Sequence, residues 1–209
     1  MCIRDSTATP EPTAAVEVAA ASPASSDRTV YTVGPQPMAQ AGPVTLVLPV
    51  AEIETIGFHE AGHPGSLALE PLSSGVDMFV LGTRNRGTDP RSAADIVVPT
   101  GVTVVAPATG TVVSASSYAL YCQHNDALVY IEPDGLPGWQ VRVFHVEGIT
   151  VAPGSRVIAG QTPIAASARL LPFESQVDEF TAEPSWPHVH VEVVDTNVPD
   201  TRPPGPGCP

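Results

Sequence analysis

Nine short segments rich in valine recur along this chain, and no stretch holds the period of an amphipathic helix. They read VTLVLPV, VDMFVLG, ADIVV, VTVVA, GTVVSAS, ALVYIE, WQVRVFHV, SRVIA and HVHVEVV. Gly, Pro, Asn and Asp interrupt them at short intervals. Side chains branched at Cβ fit a pleated, half-buried surface, and the interrupting residues supply turns. The pattern predicts an all-β fold: an antiparallel β-sandwich or barrel-sandwich hybrid.

These segments place the folded part at residues 44–196. Residues 1–43 are rich in Ala, Pro, Ser and Thr, with few large apolar groups to offset the entropy of ordering. They are expected to be a disordered stalk of the kind that follows a signal or lipid anchor. The first six residues, MCIRDS, resemble a translated adapter remnant, so the native start is expected upstream. Residues 197–209 read as a Pro/Gly-rich tail. A loop over 168–187 is long enough to expect a functional or a disordered segment.

The charge is strongly acidic, with 9 basic against 22 acidic residues. Nucleic acid and anionic lipid surfaces, which demand the opposite balance, are excluded as partners. No apolar run reaches the roughly 18 residues of a membrane span. The three cysteines, Cys2, Cys122 and Cys208, show no zinc-finger spacing. Cys122 and Cys208 could form a bridge in an oxidising compartment, or the thiols could be unpaired.

The chemistry concentrates in HVHVEV. On a strand, His188, His190 and Glu192 share one face, and Val189, Val191 and Val193 share the other. Earlier segments then acquire meaning. DIVVPTGVTVVAPATGTVV (95–113), FHVEGITVAPGSRVIAGQ (144–161) and HVHVEV (188–193) occur in the order found in the lysostaphin/LytM-type zinc metallopeptidases, and the chain resembles that family over residues 91–194.

The resemblance implies a peptidoglycan endopeptidase domain with a duplicated hybrid motif, secreted or associated with the cell envelope. Its partner would be a peptidoglycan peptide or a cell-wall hydrolase, and a monomer is expected. By resemblance, Asp95 and His190 take metal-ligand positions, while His145 and His188 take those of the catalytic histidines. A catalytic zinc keeps three protein ligands and one open position, and activates the water held there. Val141 and Val143 would share a strand face with His145, putting its imidazole at the rim of an apolar surface.

The family pattern His-x-x-x-Asp puts Arg91 at the third ligand position. A guanidinium has no lone pair and cannot ligate. The expectation is therefore a degenerate member with impaired or lost zinc binding and endopeptidase activity. The alternative is an active enzyme in which His59, His63, His124 or Asp89 supplies the missing ligand. FHEAGH (58–63) spells His-Glu-x-x-His, but that motif needs a helix, and Gly62, Pro64 and Gly65 argue against one. The sequence is also similar to lipoyl- and biotinyl-type carrier domains, which attach their cofactor to a lysine. No lysine occurs here, and that reading fails.

Overall fold

The computed structural model describes residues 19–20, 28–72 and 74–200. The largest sheet has nine strands. Their order is Ala19–Ala20, Met78–Val80, Thr55–His59, Ala93–Val97, His188–Asp195, Trp139–Phe144, His124–Pro133, Gly110–Leu120 and Arg156–Val157. From Thr55–His59 onward every pairing is antiparallel, whereas Met78–Val80 runs parallel to both of its neighbours. Two three-stranded sheets accompany it. One joins Val104–Val105, Pro163–Ala168 and Val146–Ile149, and the other joins Val44–Val47, Pro37–Ala41 and Glu70–Pro71. The two ends of the large sheet do not meet, so the barrel is not closed.

The core follows from the period of two. Ile56, Phe58, Ala94, Ile96, Val141, Val143, Val189 and Val191 leave the large sheet on one face and meet Met38, Leu46, Val104 and Ile164 from the smaller sheets. Each such Val, Ile, Leu or Phe, fully withdrawn from water, contributes about 1.5–3 kcal/mol. Alternate residues of the same strands face the other way, and there the candidate site lies.

One expectation changes and one open alternative is narrowed. The folded part begins before residue 44: Met38, Ala39 and Ala41 are fully buried on the Pro37–Ala41 strand. Met38 is large and apolar, and its burial outweighs the Pro-rich character of its surroundings. Residues 1–18, 21–27 and 201–209, which carry most of the expected stalk and tail, lie outside the described residues. Second, Cys122 is disulfide-bonded, and both Cys2 and Cys208 lie outside the described residues.

The 168–187 loop is organised. A 3₁₀ turn, Gln176–Phe180, inserts Val177 between Leu81 and Val97 on the second face of the large sheet, with Phe79, Phe180 and Trp186 around them. Arg28 holds the far end: its Nε pairs with Glu54 at 3.1 Å, its Nη2 donates to the carbonyls of Ala182 and Pro184, and its guanidinium stacks over Trp186. No helix among the described residues is long and apolar enough to cross a membrane.

Candidate metal centre and cleft

Four neighbouring strands bring the site together. Asp95 is paired with His190 on one side and with Gly57 on the other, and Phe144 is paired with His190 one strand further along. His59 ends the Thr55–His59 strand opposite Ala93, two residues from Asp95 along the pairing. Residues two apart share a face, so His59 leans toward Asp95 from one side and His190 from the other. One ligand atom from each of His59, Asp95 and His190 lies within 4.8 Å of the other two.

Asp95 Oδ1 is 3.0 Å from His59 Nε2 and 2.9 Å from His190 Nδ1. The other nitrogen of His59, Nδ1, is 2.9 Å from the carbonyl of Glu60. A carbonyl only accepts, so Nδ1 carries the proton and Nε2 is bare whenever the ring is neutral. Nε2 is buried and makes no well-directed hydrogen bond. A bare Nε2 and a carboxylate oxygen at 3.0 Å would be joined by a shared cation, either a proton on the ring or a metal ion. Two ligands bound to tetrahedral zinc at about 2.0–2.1 Å lie about 3.3 Å apart, close to both spacings here. The donor set of two imidazoles and one carboxylate suits zinc. The residues fit the metal.

Arg91 stands elsewhere. Its guanidinium pairs with Glu70 at 3.2 Å near the surface, and its backbone N–H donates to Asp89. The expected placement of Arg91 in the ligand shell is therefore corrected. Arg91 precedes the Ala93–Val97 strand in a turn, so the alternation that directs Asp95 into the cleft does not extend to it. The other rescue candidates are also placed. His63 accepts from the N–H of Gly65 on the cleft wall, His124 packs against Phe173, and Asp89 caps its own turn. FHEAGH forms no helix. Glu60 turns away to accept from Thr83 Oγ1 and from the N–H groups of Arg84 and Arg86.

His188 and His145 complete a ring of four imidazoles. Ring centroids are 5.0 Å apart for His145 and His188, 5.8 Å for His145 and His190, and 5.1 Å for His59 and His190. His145 is reached differently from the expectation. Its strand ends at Phe144, and simple alternation would turn His145 into the core with Val141 and Val143. Instead it adopts φ 60°, and its ring joins Arg142 and Phe144 on the cleft side. A left-handed conformation is costly for a residue with a Cβ. Asp126, fully buried, receives the Nδ1–H of His145 at 2.6 Å and the hydroxyl of Tyr118 at 2.5 Å. The sequence reading missed Asp126 and Tyr118. The signal was an acid two residues before Leu128, on the cleft-facing register of the His124–Pro133 strand.

Electrostatics follow from burial. Burial lowers the pKa of His188 to about 4 and of His190 to about 3, despite the opposing pull of Asp95, so both rings are neutral at pH 7. Burial pushes the Asp95 carboxyl up, but His59, His188 and the hydrogen bond from His190 outweigh it and hold it well below the usual range. Asp126 is likewise lowered: His145 and Tyr118 outweigh its burial. Neutral imidazoles beside an ionised carboxylate are the protonation states a metal requires.

His59, Asp95, His145, His188 and His190 line a cleft of about 740 Å³, whose walls include Tyr118, Tyr130, Arg142, Phe173 and Glu192. No family model matches the chain, and neither does any curated protein. Solved structures similar to it include two of known description. One is the SpoIIQ–SpoIIIAH pore-forming complex, at 20% identity and a TM-score of 0.34, covering 50% of this chain and 58% of the other. The second is a zinc-containing peptidase from Vibrio cholerae, at 21% identity and a TM-score of 0.34, covering 55% of this chain and 30% of the other. The chain thus spans little more than half of the first and under a third of the second.

Proposed function

We propose that this chain is a LytM-like zinc metallopeptidase domain that acts on peptidoglycan peptides, with His59 as third metal ligand in place of the residue at the Arg91 position. The observation that carries the reading is the buried Nε2 of His59 facing Asp95 Oδ1 at 3.0 Å, with His190 Nδ1 on the same oxygen. The degenerate reading rests on the loss of a ligand to Arg91; His59 joins Asp95 and His190 as a third candidate ligand, while Arg91 pairs with Glu70.

In this reading His59 Nε2, Asp95 Oδ1 and His190 Nδ1 hold the metal. Zinc, when bound, supplies a Lewis acid that polarises a carbonyl and makes bound water a nucleophile near neutral pH. The chain's own residues do the rest. His188, neutral and beside the carboxylate of Asp95, and His145, across the cleft, are placed to take a proton from water, hand it to the leaving nitrogen and donate to a developing oxyanion. The buried ligand set limits access of bulk water, which strengthens each of these interactions. The substrate class comes from the family resemblance. A location outside the cytoplasm draws on that resemblance and on the disulfide at Cys122.

The test is incubation of the zinc-loaded chain with purified peptidoglycan, with new amino groups as the readout. Chelator-sensitive amine release that is lost in His188→Ala is expected. Retention on peptidoglycan with no amine release would support a binding domain instead and sink the peptidase reading.

A further inference from the structure

We propose that Asp126 is a positioning residue, which holds the Nδ1–H of His145 and so presents the bare Nε2 of that ring to the cleft as its proton-handling atom. The inference rests on the peptidase reading of the cleft and adds to it the group that sets the orientation and tautomer of one histidine.

Three observations converge. Asp126 is fully buried on a strand whose next cleft-facing position is Leu128, and a buried carboxylate is costly unless its partners repay it. Packing alone would have been served by a second leucine. Next, both short bonds end on Asp126 Oδ2, from His145 Nδ1 at 2.6 Å and from the hydroxyl of Tyr118 directly opposite at 2.5 Å. An ionised carboxylate only accepts, so His145 must carry its proton on Nδ1, which leaves Nε2 with the lone pair. Third, the backbone is strained toward the same end. His145 adopts φ 60°, and its carbonyl is held by the N–H of Arg169 at 2.7 Å, while Arg169 Nε sits 3.7 Å from Asp126 Oδ1. Ring and main chain are thus gripped from one side. A backbone outlier beside a buried carboxylate–imidazole pair, in a cleft, marks a group held for use rather than for packing.

The experiment is long-range ¹H–¹⁵N correlation spectroscopy on the full chain with ¹⁵N-histidine at pH 8, with peptidoglycan hydrolysis measured alongside. His145→Gln assigns the ring. In the parent, Nδ1 of His145 is expected to be protonated. Asp126→Asn offers Nδ1 an N–H donor and is expected to move the proton to Nε2. The same variant should lower kcat by about 10²–10⁴-fold, the usual weight of a general acid–base group, with KM and zinc content within about twofold of the parent. Tyr118→Phe should keep the tautomer and lower kcat by less than about tenfold, and it carries the test if Asp126→Asn does not fold. A bare Nδ1 in the parent overturns the proposal. So does an Asp126→Asn protein with the parent's tautomer or the parent's kcat. A parent that shows the expected tautomer but cleaves nothing would fault the peptidase reading and support the His145–Asp126 arrangement.

Discussion

His59 Nε2 lies 3.0 Å from Asp95 Oδ1, across the pairing of the Thr55–His59 and Ala93–Val97 strands. A metal ion shared by the two atoms would account for the contact, as would a proton on Nε2. With a shared metal, His59→Ala should weaken zinc binding by at least about 100-fold, since even groups that merely orient a ligand contribute 10–100-fold. Competition against a zinc chelator measures this. Parent-like affinity in the variant would remove His59 from the ligand set.

Arg91 gives the converse case. Its ion pair with Glu70 is solvent-exposed, and such pairs contribute about 0–1 kcal/mol. Arg91→Ala is expected to leave zinc content unchanged and to alter stability by no more than that amount. A rise in zinc affinity in Arg91→Ala, read by the same chelator competition, would put the guanidinium back beside the metal.

The buried histidines set a pH dependence for the metal-free protein. The folded-state pKa values of about 4 for His188 and about 3 for His190 lie below the ordinary 6.5. The unfolded chain therefore binds protons first as pH falls. The stabilisation is fully present above about pH 6.5, shrinks below it and is gone once pH passes the folded values. Tm by calorimetry should drop between pH 7 and pH 4.5, and a His188→Gln/His190→Gln protein should show a flatter profile. Equal slopes for the two proteins would contradict the assignment.

Arg28 fastens the loop that walls the site. It pairs with buried Glu54 and reaches the carbonyls of Ala182 and Pro184, and Glu54 also accepts the N–H of Ala182. Arg28→Ala leaves Glu54 buried without its cation, a loss of about 3–5 kcal/mol for a buried pair. Faster hydrogen exchange over residues 176–186 is expected. Unchanged exchange there would mean that Val177 and Trp186 alone hold the wall.

Gly57 tests the same wall from the sheet. It stands opposite Asp95, and a Cβ there would come within 3.0 Å of Val177 Cγ2 and 3.3 Å of Leu81 Cδ1. Gly57→Ala should cost about 1–3 kcal/mol in denaturant unfolding through overpacking. A stabilised Gly57→Ala protein would show that the wall yields freely.

How much of this could be read from the chain depends on whether the determinants are local. The strands could be read because Val-rich alternation is a local property, and HVHVEV carries its two faces within six residues. Asp95 and His190 came from motif order. His59 could only be weighed as one of four substitutes, because its closeness to Asp95 depends on which strands pair and in what register. His145 was assigned to the site but by the wrong route, since no residue type announces φ 60° at a histidine. Asp126 was missed because its partner lies on the neighbouring strand. Met38 was missed because one apolar residue in a Pro-rich stretch gives no periodic signal.

In the proposed site His59, and not the residue at the Arg91 position, completes the metal ligands. The most direct measurement is an anomalous difference map at the zinc edge from crystals of the zinc-loaded chain. One strong peak is expected about 2.0–2.2 Å from His59 Nε2, Asp95 Oδ1 and His190 Nδ1. A map with no peak among these atoms, or a peak that His59 does not touch, would rule His59 out as a metal ligand.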